Sequence, residues 1–204
     1  MYRISAVCTG NICRSPMAQF CLTRAFDDAG LGARVTVSSA GVTGWEAGRP
    51  MDDRTKTELL KHGFPAADIA PFRAHAFELE EFATLDLILA LDYGHLLELQ
   101  ERAPSVADRE KIRLLRSFDP AAADLAPEQL GIEDPWYGDM SDFDSAVRRC
   151  RPGHRLRRRQ LNAGPCPRVL PRCAIPRIIA RGSSPARDDR RRRVFRGRQN
   201  HPCH

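Results

Sequence analysis

Two periods of apolar and polar positions alternate along most of the chain. Tyr2-Arg3-Ile4-Ser5-Ala6-Val7 is a short apolar run of the kind that forms a buried strand, and Met17 to Phe26 has helical spacing. Asp28 to Gly32 reads as a turn, and the β-branched stretch Arg34 to Ala40 predicts a second strand. Met51 to His62 predicts a helix ended by Gly63, and Glu78 to Phe82 belongs to a short helix before the strand Leu85 to Ala90. Asp92 caps a helix over Gly94 to Arg102, and Lys111 to Leu115 gives a fourth strand. Strands alternating with helices imply βαβ units. The pattern therefore predicts an α/β domain, a doubly wound four-stranded parallel sheet with helices on both faces. Ligands of such sheets sit beyond the carboxyl ends of the strands, where strand order reverses.

Three stretches escape the pattern. Gly41 to Pro50 is glycine-rich around one large aromatic, Trp45, as in a shaped surface loop. Ser117 to Asp139 is long and rich in Asp, Pro and Gly, a length that in a compact domain marks either function or disorder. From Arg148 onward no apolar period is sustained.

Charge divides the chain at the same place. Residues 1–147 carry 14 Lys and Arg against 24 Asp and Glu, whereas residues 148–204 carry 18 against 2. The overall charge of +6 is thus the sum of an acidic body and a basic tail. No stretch reaches the roughly 18 apolar residues of a membrane helix, and the N-terminus has no signal-peptide pattern. Seven cysteines, an odd number, suit free thiols better than a disulfide framework, so a reducing, cytoplasmic setting is expected.

The chemistry concentrates in Cys8-Thr9-Gly10-Asn11-Ile12-Cys13-Arg14-Ser15-Pro16, between the first strand and the first helix. Gly10 and Asn11 tolerate positive φ, so the loop can curl until successive N–H groups form an anion-binding nest. Ser15 is a good N-cap and Pro16 suits the first helical position, which would aim the helix dipole into the same hollow. Arg14 adds a planar fork for two phosphate oxygens. A free cysteine has a pKa of about 8.5, which cationic neighbours and helix N-termini lower, so Cys8 is expected to be a thiolate nucleophile. Taken alone, Cys-x5-Arg-Ser also fits a small buried cysteine and a surface cation; the strand before it and the Gly-Asn and Ser-Pro pairs favour the anion site. Asp134-Pro135-Trp136-Tyr137-Gly138-Asp139 places a carboxyl group beside two aromatics on a proline-stiffened turn, a functional pattern that a merely packed Asp-Pro turn would share. Trp45 likewise suits either half-buried packing or a binding wall.

The loop, with Ser38-Ser39-Ala40-Gly41, Trp45, Gly48-Arg49-Pro50, Ala90-Leu91-Asp92 and Asp134 to Gly138, resembles the bacterial low-molecular-weight protein-tyrosine phosphatases from about Tyr2 to about Val147. The resemblance implies a phosphoric monoester hydrolase acting on phosphotyrosine proteins without metal or other cofactor. It implies Cys8 as nucleophile, Arg14 with the N–H groups of Thr9, Gly10, Asn11, Ile12, Cys13 and Arg14 as oxygen holders, and Asp134 as proton donor. Asn11 would hold the strained turn with Ser39 behind it, and Ser15 would hydrogen-bond the Cys8 sulfur. Trp45, Trp136 and Tyr137 would wall a slot deep enough for a phenyl phosphate. Cys13 stands at the family's second-cysteine position, suited to a reversible disulfide with Cys8, while Cys21 belongs to the core.

One departure is Phe72, where the family often has a histidine; His75 nearby reads as an ordinary surface residue. Arsenate reductases resemble this loop but relay oxidation through further cysteines, and Asp92 to Arg109 has none. Ile12 in place of the threonine common in protein-arginine phosphatases favours phosphotyrosine. A phosphate-binding or regulatory module without turnover is the remaining alternative for the body.

The tail, residues 148–204, cannot bury enough apolar surface to offset its ordering entropy and is expected to be disordered. Its charge is either simply solvated or binds nucleic acid or an anionic surface. Cys150 with His154, and His201 with Cys203 and His204, match no closed zinc spacing. Members of the family continue past a segment like Ser141-Asp142-Phe143-Asp144 into a long amphipathic helix, so its loss here would expose one face of the sheet. Arg-, Pro-, Gly- and Cys-rich text is what a GC-rich gene yields in a shifted frame. Translation of the other frames from about codon 147 is expected to reveal a helical apolar period; its absence from both frames overturns a frameshift origin.

Overall fold

The computed structural model describes residues 1–151. The first strand, β1 (Tyr2–Cys8), leads through the cysteine loop into α1 (Arg14–Asp28), and β2 (Val35–Gly41) follows. Next come α2 (Asp53–Lys61), α3 (Ala66–Ile69), α4 (Glu81–Thr84), β3 (Leu87–Ala90), α5 (Tyr93–Arg102), α6 (Val106–Arg109), β4 (Ile112–Leu114) and α7 (Met140–Arg149). The four strands form one parallel sheet in the order β2-β1-β3-β4. This is the predicted doubly wound architecture, with strand order reversing beside β1. Val7 pairs with Ala40 on one side and Ala90 on the other, so the loops after β1, β2 and β3 leave the sheet at one edge.

Strand residues alternate between two cores, as the period of two requires. Ile4, Ala6 and Leu89 pack with Met17, Leu22, Phe26, Leu59, Phe143 and Val147 on the face covered by α1, α2 and α7. Val7, Ile88 and Ala90 pack with Phe77, Phe82, Leu99, Ile112 and Leu114 on the face covered by α4 and α5. Cys21 is buried in the first core, as expected.

Local chemistry moves several boundaries. Asp52, not Met51, sets the start of α2, because its carboxylate accepts the Arg54 N–H at 2.8 Å as an N-cap. Ser15 is not the cap of α1, and Pro16 is not its first residue. Cys13 holds the cap position, the helix begins at Arg14, and the Ser15 hydroxyl is drawn into the loop instead. The stretch from Ser117 to Asp139, which has no period, becomes short 3₁₀ turns at Pro120–Ala122, Pro127–Gln129 and Pro135–Tyr137. Leu130 and Ile132 anchor this stretch in the core.

The composition break at Arg148 falls inside a helix. Helix α7 starts with a capping box between Asp139 and Asp142, and it buries Phe143, Ala146 and Val147. Arg148 and Arg149 stand in its last turn, where cations complement the helix dipole. Cys150 just beyond is fully buried. The expectation that one face loses its covering helix is therefore corrected for the described residues, where ten residues of that helix are in place. The expected disorder from residue 152 onward, and the ligand-type residues His154, His201, Cys203 and His204, lie outside the described residues. Among those described, no helix is long and apolar enough to cross a membrane.

Phe143 on α7 is wholly buried in the first core, where α7 packs against α1 and α2. Replacing it with alanine is expected to cost about 3–5 kcal/mol, read as a lower midpoint in urea unfolding; a cost under about 1 kcal/mol would show that α7 does not support the fold.

Candidate active site

The loop between β1 and α1 is curled by one residue. Asn11 takes a φ of 59°, the left-handed region, and its side chain is fully buried. Its amide nitrogen donates to the Ser15 and Ser39 hydroxyls, each at 2.9 Å, and its carbonyl oxygen accepts the His75 backbone N–H at 3.0 Å. Ser39 donates in turn to Gln19 Oε1 at 2.6 Å. The strain of a positive φ persists where surrounding bonds over-determine it, and here three partners do so. Gly10 does not share the left-handed conformation; a Cβ there would lie 3.2 Å from Glu46 Cγ. Gly41, at the end of β2, is needed for close approach: a Cβ would lie 2.7 Å from the Thr9 carbonyl oxygen and 2.9 Å from that of Thr43.

The loop's carbonyls turn outward. Cys8 O accepts the Val42 N–H at 2.8 Å, Thr9 O that of Thr43 at 3.0 Å, and Ile12 O that of Asp52 at 3.0 Å. In a planar trans peptide the next residue's N–H points the opposite way, so the N–H groups of Thr9, Gly10 and Cys13 face inward. An anion-binding nest requires such inward N–H groups.

Cys8 Sγ lies at the base of the loop, 3.0 Å from Ser15 Oγ. Ser15 has one proton and two acceptors in reach, the sulfur and Ala40 O at 3.2 Å. Cys13 is different. Burial and the Asp52 carboxylate push its thiol up to about 12, against the opposing effect of Thr55, so it remains protonated at neutral pH. Burial likewise raises Cys21 to about 11. The described cysteines are all free thiols, Cys8 and Cys13 included.

Arg14 is 4 % exposed and held by carboxylates from two other parts of the chain. Nη1 donates to Asp92 Oδ2 at 2.7 Å and Nη2 to Asp134 Oδ2 at 2.6 Å, with Thr9 Oγ1 and Ile132 O each 3.3 Å away. Asp134, at the start of the Pro135–Tyr137 turn, also accepts the Trp136 N–H at 3.1 Å. Sequence reasoning gave Asp92 only a capping role, which it has, accepting the His95 N–H at 2.8 Å. It also pairs with Arg14, and His95 Nδ1 lies 2.9 Å from its Oδ1. The other ring nitrogen of His95 is 2.9 Å from Thr9 Oγ1. Burial works to raise the Asp92 carboxyl, but the His95 contacts and Arg14 outweigh it and hold the group well below the usual carboxylate range. The signal for this cluster was topological: Asp92 follows β3, the neighbour of β1 across the strand-order reversal.

The three aromatics are all surface residues, with Trp45 80 %, Trp136 42 % and Tyr137 95 % exposed. Phe72 packs against the core, and Asn11 receives its third bond from the His75 backbone rather than from a histidine ring.

The model of the family described as low molecular weight phosphotyrosine protein phosphatase matches residues 3–155. The chain belongs to this family. It is 45 % identical over 146 residues to a low molecular weight protein-tyrosine-phosphatase of Streptomyces coelicolor, covering 72 % of this chain and 85 % of that one. It is 37 % identical over 145 residues to the human low molecular weight phosphotyrosine protein phosphatase, covering 71 % and 85 %. A crystal structure of a protein tyrosine phosphatase from Entamoeba histolytica has the same fold, with a TM-score of 0.68 at 23 % identity over 79 % of this chain and 97 % of that one.

Because the folded Asp92 carboxyl lies below its unfolded value of about 3.9, its contribution to stability is complete above that value and is lost as pH falls through the depressed one. Asp92→Asn keeps a cap-competent side chain and is expected to lower the thermal midpoint near neutral pH, the gap closing as the pH falls to about 2. A gap that does not change with pH would show that the charge contributes nothing.

Proposed function

We propose that the protein is a metal-independent protein-tyrosine phosphatase working through a cysteinyl-phosphate. The observation that carries this reading is the Arg14–Asp134 pair at the loop that holds Cys8. Cys8 lies at the base of the nest, Arg14 borders it, and Asp134 is bound to the same guanidinium at 2.6 Å. These contacts support the roles of nucleophile, anion fork and proton donor for Cys8, Arg14 and Asp134.

The Cys8 thiolate attacks phosphorus in line, forming the S–P bond as the P–O bond to the tyrosyl oxygen breaks, and Asp134 delivers its proton to that oxygen. Water then attacks the phosphocysteine, giving its proton to Asp134 and restoring the thiolate as inorganic phosphate leaves. Arg14 and the loop N–H groups of Thr9, Gly10, Asn11, Ile12 and Cys13 hold the equatorial oxygens throughout. Ser15 supplies its single proton to whichever acceptor is charged. A thiolate therefore draws it from Ala40 O to the sulfur. A phosphate on the Arg14 fork takes the guanidinium that Asp134 holds, which frees the carboxyl oxygen to turn toward the leaving group. Ile12, Trp45, Trp136 and Tyr137 offer an apolar slot for the phenyl ring, and Ser39 supports Asn11. A reactive free thiol suits the reducing cytoplasm.

Hydrolysis of a phosphotyrosine peptide by the full chain in the presence of a chelator tests the reading. Cys8→Ser is expected to lose about 10³-fold or more of kcat, and Arg14→Lys, which keeps the charge but not the fork, about 10²-fold. Activity that survives in Cys8→Ser, or that requires a metal, overturns the mechanism.

A further inference from the structure

We infer that Arg54 is a positioning residue that fixes the Asp134 turn against the cysteine loop. It lies on α2, outside the cysteine loop, and its contacts reach in two directions. Toward α2, its Nε and Nη2 donate to Asp52 Oδ1 and Oδ2, both at 3.1 Å, a two-point fork that locks the guanidinium plane. Asp52 is itself fixed to the cysteine loop, because its backbone N–H donates to Ile12 O at 3.0 Å. Toward the acid turn, Arg54 Nη1 donates to Trp136 O at 3.1 Å and lies 3.5 Å from Gly138 O. The guanidinium carbon also lies 5.4 Å from the Trp136 ring centre and 4.5 Å from that of Phe143 on α7.

The chain of contacts runs from Ile12 through Asp52 and Arg54 to the two residues that bracket Tyr137. Pro135 is buried but Trp136 and Tyr137 are exposed, and the other charged tie of the turn to the cysteine loop is the Arg14–Asp134 pair. Once the Arg14 fork turns to phosphate, Arg54 still joins the turn to the loop through Asp52. A general acid acts only within hydrogen-bond reach of its proton acceptor, so a turn that drifts loses proton transfer before it loses binding. Arg54 therefore acts through Asp134, and the inference rests on the general-acid reading of that residue.

The test is the dependence of kcat/KM on leaving-group pKa across a series of aryl phosphates. It uses the full chain, Arg54→Ala, Arg54→Lys and Asp134→Ala. Activated leaving groups need little protonation, whereas phenol-like ones depend on it. Both Arg54 variants are expected to lose a small common factor on every substrate. On the poorest leaving groups they should lose about a further tenfold or more, so that the plot steepens toward that of Asp134→Ala. The lysine keeps the charge but cannot hold two carboxylate oxygens and a carbonyl at once, so it should fail to rescue. If Asp134→Ala steepens the plot and both Arg54 variants leave its slope unchanged, Arg54 is structural only and the inference falls. If Asp134→Ala leaves the slope unchanged, the general-acid reading falls and the positioning role with it.

Discussion

A buried guanidinium must be neutralised, and that requirement organises this molecule. Arg14 has almost no contact with solvent, and its carboxylate partners stand 78 and 120 residues away along the chain. Removing one partner from a buried pair leaves an uncompensated charge, which costs more than the pair itself contributes. The fold must therefore bring the end of β3 and the turn after Ile132 to the mouth of the β1–α1 loop. Asp92 adds the cap of α5 and the contact with His95, which ties Thr9 back to the same cluster. The sheet order β2-β1-β3-β4 is what places these carboxyl ends side by side.

Rigidity is distributed unevenly around that charge. On the floor, every anchor is buried: Asn11 with its three partners, Ser15, Ser39, and Gly41 beneath the Thr9 carbonyl. A nest formed by such a loop holds its N–H groups in place before any anion arrives, so little reorganisation accompanies charge development. The rim is exposed by contrast, with Trp45 and Tyr137 among the most solvent-accessible large side chains. Polar contacts of Arg14 and Arg54 join its Asp134 turn to the rest of the site. A fixed floor and a tied rim suit chemistry in which the phosphate group is constant while the peptide around it varies.

Much of this was legible in the sequence because it is local. Strand, loop and helix meet within sixteen residues, and residue types there dictate a nest around Cys8. What the chain text concealed is of two kinds. The Arg14–Asp92 pair, the His95–Thr9 contact and the Arg54 bridge join distant segments, and only the sheet order brings them together. Ser15 was misplaced for a different reason. A serine before a proline has the signature of an N-cap, but its hydroxyl is claimed by Asn11, Cys8 and Ala40, so the helix starts without it. Local propensity lost to a tertiary hydrogen-bond network.

The boundary at Arg148 shows the same competition from the other side. Composition turns basic there, yet Phe143, Ala146, Val147 and Cys150 continue one helical stripe across it. Arginines in the last turn of a helix are solvated and favourable, so a rise in their number does not end the helix. Cys150 marks how close that end lies to the chemistry. Its thiol, which burial pushes well above its ordinary range, donates to the backbone oxygen of Arg14 at 3.7 Å. It is a protonated packing group. The first residues of the basic segment thus belong structurally to the acidic body, and they support the backbone of the arginine around which the site is built.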